Sequence, residues 1–224
     1  LGLFKDQEDI DNSPIQTFGK YMPGDIKYKD VNGDGRIDSD DEVPLAYSNY
    51  PRLMFGFGGE FNYKNWTFNI LFKGIGKKDF YYTGEGGAGY YPFLWGETGN
   101  VLKIVGNEKN RWIPASYSGD QSTENSNARF PRLSYGENSN NVRNSTFWKA
   151  NGQYIRLQEV SINYNMRNKS LTKIGISSID LQLVGNDLYV WDKIGGLWDP
   201  EQTSRNGRAY PIPARYAFQM YINF

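Results

Sequence analysis

The sequence predicts an all-β chain: antiparallel up-and-down strands that form the C-terminal part of a transmembrane β-barrel, with long external loops. Three observations predict it. Several segments alternate apolar and polar residues with period two, the spacing that sends neighbours to opposite faces of a strand. Short and long connections take turns between these segments. The closing segment, RYAFQMYINF, places Tyr216, Phe218, Met220, Ile222 and Phe224 on one face and Ala217, Gln219, Tyr221 and Asn223 on the other. An apolar face that continues to Phe224 suits a closed barrel whose outer surface meets lipid. By itself this segment fits equally well a strand packed on a soluble core, so the rest of the chain must separate the two.

Composition narrows the function. Glycine (25 of 224 residues) and tyrosine (17) are both abundant, which favours strands and turns over helices. Lys plus Arg equals Asp plus Glu at 25 each, so no nucleic-acid footprint is expected. The absence of cysteine excludes disulfides and thiolate metal sites. The absence of histidine removes the commonest general base. An enzyme would need a carboxylate pair, and the acids here cluster in one loop or stand singly on strands, so no enzyme is expected. No apolar run approaches the ~20 residues of a membrane helix, a test that alternating barrel strands do not meet either. The chain opens on Leu1 without a signal peptide and reads as a piece of a longer, processed protein.

Residues 1–51 read as loop, with one helical turn near Lys5–Ile10. Within them DIKYKDVNGDGRIDSDDEV carries the sharpest local motif. With Asp30 as position 1, Asn32 stands at 3, Asp34 at 5, Gly35 at 6, Arg36 at 7, Ile37 at 8, Asp38 at 9 and Asp41 at 12. This is the spacing of a twelve-residue calcium loop. Hard oxygen donors wrap a cation only if position 6 turns sharply, and Gly35 permits that turn. Arg36 would offer its backbone carbonyl, so its charge is immaterial. Asp41 replaces the usual bidentate Glu, a shorter acid similar to that of dockerin-type repeats. The expected ligands are Asp30, Asn32, Asp34, Arg36, Asp38 and Asp41, around a structural calcium; the competing reading is a solvated acidic turn.

Residues 52–73 read as a hairpin turning at Lys64-Asn65. Leu53, Phe55, Phe57, Phe61 and Tyr63 share a face on its first strand, and Trp66, Phe68, Ile70 and Phe72 on its second. Residues 74–152 read as one long external loop with a short helix over about Asn107–Trp112. Its exposed aromatics beside Asn and Asp would suit sugar stacking. Residues 153–224 hold the last three strands. In QYIRLQEVSINYNM, Ile155 and Leu157 have the opposite parity to Val160, Ile162, Tyr164 and Met166, which predicts a bulge near Gln158–Glu159. In SSIDLQLVGNDLYV, Ile179, Leu181 and Leu183 oppose Asp180, Gln182 and Asn186. The connections at 64–65 and 167–176 are short; the calcium-loop region, 74–152 and 191–214 are long. Strict alternation of short periplasmic turns and long external loops is the habit of outer-membrane barrels, and a sandwich has no reason to follow it.

The motifs PGDIKYKDVNGDGRID, WKANGQYIRLQEVSINYNM, SSIDLQLVGNDLYVW and GLWDPE, with the aromatic hairpin and the Phe-terminated strand, resemble in order and spacing the C-terminal part of SusC/RagA-type TonB-dependent outer-membrane transporters of Bacteroidetes-like bacteria. Residues 79–147 carry no signature of that family. Asn186-Asp187-Leu188 stands where the family more often has an Asn-Leu pair. The resemblance implies a plugged barrel of about 22 strands, placed in the Gram-negative outer membrane. It implies import of oligosaccharides or peptides together with a SusD-like surface lipoprotein. Energy would come from TonB through an N-terminal plug that this sequence lacks. The alternative reading is a secreted, calcium-stabilised β-domain that binds glycans or a protein partner.

Overall fold

The computed structural model describes residues 1–48, 50–82, 103–136, 138–195, 199–201, 210 and 212–224. They fall into two compact units. One is built from Leu1–Ala46 and Tyr81–Lys149, the other from Tyr47–Phe80, Ala150–Thr203 and Ala209–Phe224.

The second unit is a five-stranded antiparallel sheet of β1 (Leu53–Tyr63), β2 (Trp66–Gly76), β3 (Tyr154–Met166), β4 (Ser178–Asp192) and β5 (Arg215–Asn223), in that spatial order. Every neighbour in sequence is a neighbour in space, which is the up-and-down arrangement the alternation predicts. The β1–β2 turn is as tight as expected, and Lys64 takes a left-handed φ of 53° to close it. Two strands run further than the sequence indicates. β2 continues to Gly76 and β4 to Asp192.

Register gives the sheet one apolar and one polar face. Phe57 stands opposite Phe72 and Phe61 opposite Phe68, with centroids 4.9 and 6.3 Å apart. The ladder slips between Leu157 and Glu159, where the parity change predicts a bulge. The slip matters for both halves of β3. It leaves Ile155 and Leu157 on the same face as Val160 and Ile162, since Gly74, Phe72, Ile70 and Phe68 are their respective partners. It also keeps Arg156 on the polar face, opposite Lys73. A regular ladder would send that cation among the aromatics. The polar face is tied by short side-chain bonds: Asn62 donates to Glu60 at 2.7 Å, Thr67 to Asn62 at 2.6 Å and Asn69 to Ser161 at 3.2 Å.

The first unit is compact, although its residues read as loop in the sequence. Leu3, Ile26, Val105, Trp112, Ala128, Phe130 and Trp148 form a buried core, contributed in part by residues of the stretch without a family signature. Regular structure is scarce there. A five-residue helix, Gln7–Asp11, starts on the Asp6 cap, near the predicted turn. The helix expected over Asn107–Trp112 is a 3₁₀ turn at Glu108–Asn110 capped by Asn107. Instead of ladders, a buried polar network holds the backbone. Asp25 is fully buried; its Oδ1 lies 2.9 Å from Arg132 Nε, and its Oδ2 accepts from Arg132 Nη2 at 3.0 Å. Asn141 donates to Asp25 at 2.8 Å and accepts from the Ile26 amide at 2.9 Å. Gln16 donates to Asn140 at 2.7 Å, and Trp148 Nε1 donates to the Asn141 carbonyl at 2.7 Å. Each asparagine supplies what a strand neighbour would otherwise supply.

Candidate functional site

Three features stand out: the aspartate loop at 30–41, the apolar face of the sheet, and an ionic cluster on its polar face.

The loop adopts the turn its glycines foretell. Gly33 and Gly35 both take left-handed φ values, 79° and 83°. Asp30 accepts from the amides of Gly33 and Gly35 at 2.6 and 2.9 Å. Asn32 accepts from the Asp34 amide at 2.9 Å and Asp34 from the Arg36 amide at 2.8 Å. Arg36 and Ile37 pair in parallel with Ile15 and Gln16 through the carbonyls of Gly35 and Ile37, on either side of the Arg36 carbonyl. Asp38 caps the 3₁₀ turn Ser39–Asp41. Asp41 is buried and closes the loop: its carboxylate accepts from Val31 at 2.6 Å, Asp38 at 3.0 Å and Asn32 at 3.3 Å. The Val31 amide foremost, then that of Asp38, holds this carboxyl below its ordinary range. The donors are all oxygen, as a hard cation requires. In the present arrangement they are satisfied by backbone amides. Among the described residues no group of three or more Asp, Glu, His or Cys is arranged to hold a metal ion.

The apolar face of the sheet is bare. Phe57, Phe61, Leu183, Phe218 and Met220 are all exposed, with Phe61 and Phe218 each about two-thirds accessible (63% and 64%). An area of this kind, spanning five strands, far exceeds the scattered apolar residues of an ordinary surface. Aromatics gather near both strand ends. Trp66 packs on Tyr164 at 4.6 Å at one end, and Tyr189 on Trp191 at 4.7 Å at the other.

The ionic cluster went unrecognised in the sequence. Arg156 is 2% exposed. Its Nη2 donates to both oxygens of Asp199 at 2.7 and 2.6 Å, and its Nε to Glu201 at 2.6 Å. Lys73, directly across the ladder, donates to the other Glu201 oxygen at 2.8 Å. Lys78 donates to the Pro200 carbonyl at 3.2 Å. Asp187, in a left-handed conformation (φ 54°) beside the β4 irregularity, lies 4.0 Å from Arg156 and accepts from Arg215 at 3.3 Å. Two signals for it stand in the sequence. Arg156 sits between two apolar residues of the wrong parity, and Asp199 and Glu201 sit in the DPE of GLWDPE.

No protein-family model matches the chain. The chain is 32% identical, over its whole length, to TonB-dependent receptor P26 of Formosa agariphila, of which it covers 22%. It is 26% identical over 84% of its length to TonB-dependent receptor P3 of the same organism, of which it covers 16%. The chain therefore spans about a fifth of the length of these relatives. Among solved structures, the RagAB peptide importer in its open-open state superposes over the whole chain with TM-score 0.61 at 18% identity, covering 21% of that chain. The closed-closed state gives 0.61 at 17%, covering 22%. With sequence likeness along all its length to such a receptor and the fold of a part of that importer, the chain is part of a TonB-dependent receptor.

Proposed function

We propose that this chain forms five adjacent strands of an outer-membrane β-barrel that imports nutrients. The observation that carries the reading is the bare apolar face, continuous across all five strands and backed by a polar face. From the level of Tyr164 to that of Tyr189 and Trp191, eight to ten residues of β4 pass. That is about 26–33 Å along the strand, or roughly 19–23 Å at a 45° tilt. The value approaches the ~25 Å apolar band of such barrels, and the aromatic pairs then sit as interfacial girdles. The same face disfavours a secreted soluble β-domain, which would have to cover it.

In this reading the polar face lines the lumen, and the sheet closes with strands outside this chain. The whole receptor takes up oligosaccharides or peptides with a SusD-like surface lipoprotein, energised by TonB through its plug. It resides in the outer membrane of a Bacteroidetes-like cell. The aspartate loop holds a structural calcium through Asp30, Asn32, Asp34, the Arg36 carbonyl, Asp38 and Asp41. Support for that ion comes from the all-oxygen donor set and the two left-handed glycines; its role is to stiffen the loop.

Spin labels test the membrane face. Phe218→Cys and Gln219→Cys in the full-length receptor, reconstituted in bilayers, should differ in parity. The first is relaxed by dissolved oxygen and the second by an aqueous nickel chelate. Equal access of the chelate to both positions sinks the barrel reading. For the loop, calcium should raise the melting temperature of the receptor and lose that effect in Asp30→Ala with Asp34→Ala. Identical melting with calcium and with chelator defeats the ion.

A further inference from the structure

Each of three consecutive loop residues is bound by the sheet. Asp199 is bound by Arg156, the Pro200 carbonyl by Lys78, and Glu201 by Arg156 and Lys73. Asp199 also folds the segment on itself by accepting from the Glu201 amide at 2.9 Å. The cations come from β2, from just beyond it, and from β3. Asp187 of β4 and Arg215 of β5 extend the charge alternation across the sheet.

Two irregularities serve this one place. The slip near Gln158 turns Arg156 to the polar face, and the left-handed backbone at Asp187 lies opposite that slip, between Asn186 and Tyr189, and carries its carboxylate toward Arg156. Regular ladder pairing is given up at both positions, and a non-glycine residue at positive φ is uncommon. Arg156 and Lys73 also stand directly opposite each other, a like-charge pair that is destabilising unless an anion bridges it. Glu201 is that bridge. Without the loop segment, Arg156 would lose both of its close carboxylates and keep only Asp187 at 4.0 Å, which is strongly unfavourable.

We propose that Asp199–Pro200–Glu201 is a strap that Arg156 holds against the polar face near the start of β3, and that release of this grip frees the strap. The inference rests on the barrel reading only for its consequence: in a lumen the held strap narrows the passage and the released strap widens it. Arg156 is a positioning residue. It acts on the passage through Asp199 and Glu201.

The test uses the full-length receptor with Pro200→Cys, which keeps the carbonyl that Lys78 holds. A membrane-impermeant maleimide reports the exposure of this thiol on intact cells, with the heat-shifted gel mobility of folded barrels as the control for assembly. Arg156→Met should speed labelling about tenfold or more, because the lost grip is worth at least one factor of ten in equilibrium. Arg156→Lys, which keeps charge but loses the fork, should fall between. If Arg156→Met does not assemble, Asp199→Asn with Glu201→Gln decides, since it leaves every strand residue in place. Unchanged labelling in an assembled variant overturns the strap. A receptor that proves water-soluble overturns the barrel instead. Labelling of the soluble protein then still reads the strap, whose contacts all lie within the sheet unit.

Discussion

Gly24 lies against the face of Trp112. A Cβ at Gly24 would stand 2.3 Å from the indole Cδ2, and the residue takes a left-handed φ of 84°. The glycine of the PGD motif is thus explained by the core beneath it, one residue before the fully buried Asp25.

Gly24→Ala should therefore be costly. Overpacking against a rigid ring and a strained φ together predict a loss of about 2–4 kcal/mol. Denaturant titration of the receptor, followed by fluorescence, measures it. A loss well under 1 kcal/mol would show that the ring yields.

Asp25→Ala should cost about as much or more. It strands Arg132 and leaves the amide donors of Asn138 and Asn141 without their acceptor. Removing one partner of a buried ion pair predicts roughly 3–5 kcal/mol. Asp25→Ala combined with Arg132→Met should be milder than the single change, and the double-mutant cycle measures the coupling.

Parity on β5 predicts opposite fates for adjacent residues. Phe218→Arg places a cation on the apolar face and should destabilise the bilayer-embedded receptor by about 2–4 kcal/mol. Gln219→Arg, on the other face, should lie within about 1 kcal/mol of the parent. Urea titration in lipid vesicles compares them.

Asp120 caps the 3₁₀ turn Gln121–Thr123, accepting from the Ser122 amide and hydroxyl at 2.8 Å each. The Ser122 amide foremost holds its carboxyl below the ordinary value. A depressed carboxyl adds stability above its unfolded pKa, near 3.9, and loses it as pH falls through the lower folded value. Hydrogen-exchange protection of Ser122 and Thr123 should thus be level at neutral pH and fall in that acid window. Asp120→Ala should abolish the step.

The sheet was legible because its signals are local. Period two, the tight turn at Lys64 and the parity break at Gln158 each report on residues adjacent in sequence. The aspartate loop was legible for the same reason, and the amides its carboxylates bind lie within twelve residues. The core of the unit that holds that loop was not legible. Asp25 meets Asn141 across 116 residues and Gln16 meets Asn140 across 124, with little periodic structure between. Asparagine-rich turns such as ENSNNVRN look like exposed loop because the amides that build a buried network also solvate well in water. Arg156 escaped for a related reason. Its partners lie 43 and 45 residues away in a segment without period.

The alternation that gives the sheet its two faces also bears on how such a chain reaches its destination. Every strand places a polar or small residue beside nearly every apolar one. A machinery that sorts nascent chains by continuous apolar runs of about 20 residues finds none here to retain. The apolar surface comes into being only when strands pair, so the polypeptide remains a passable thread until it folds. The price is a soluble interval in which half of each strand is greasy. A carrier that masks short alternating segments during that interval, with no need to read their sequence, would be enough to deliver it.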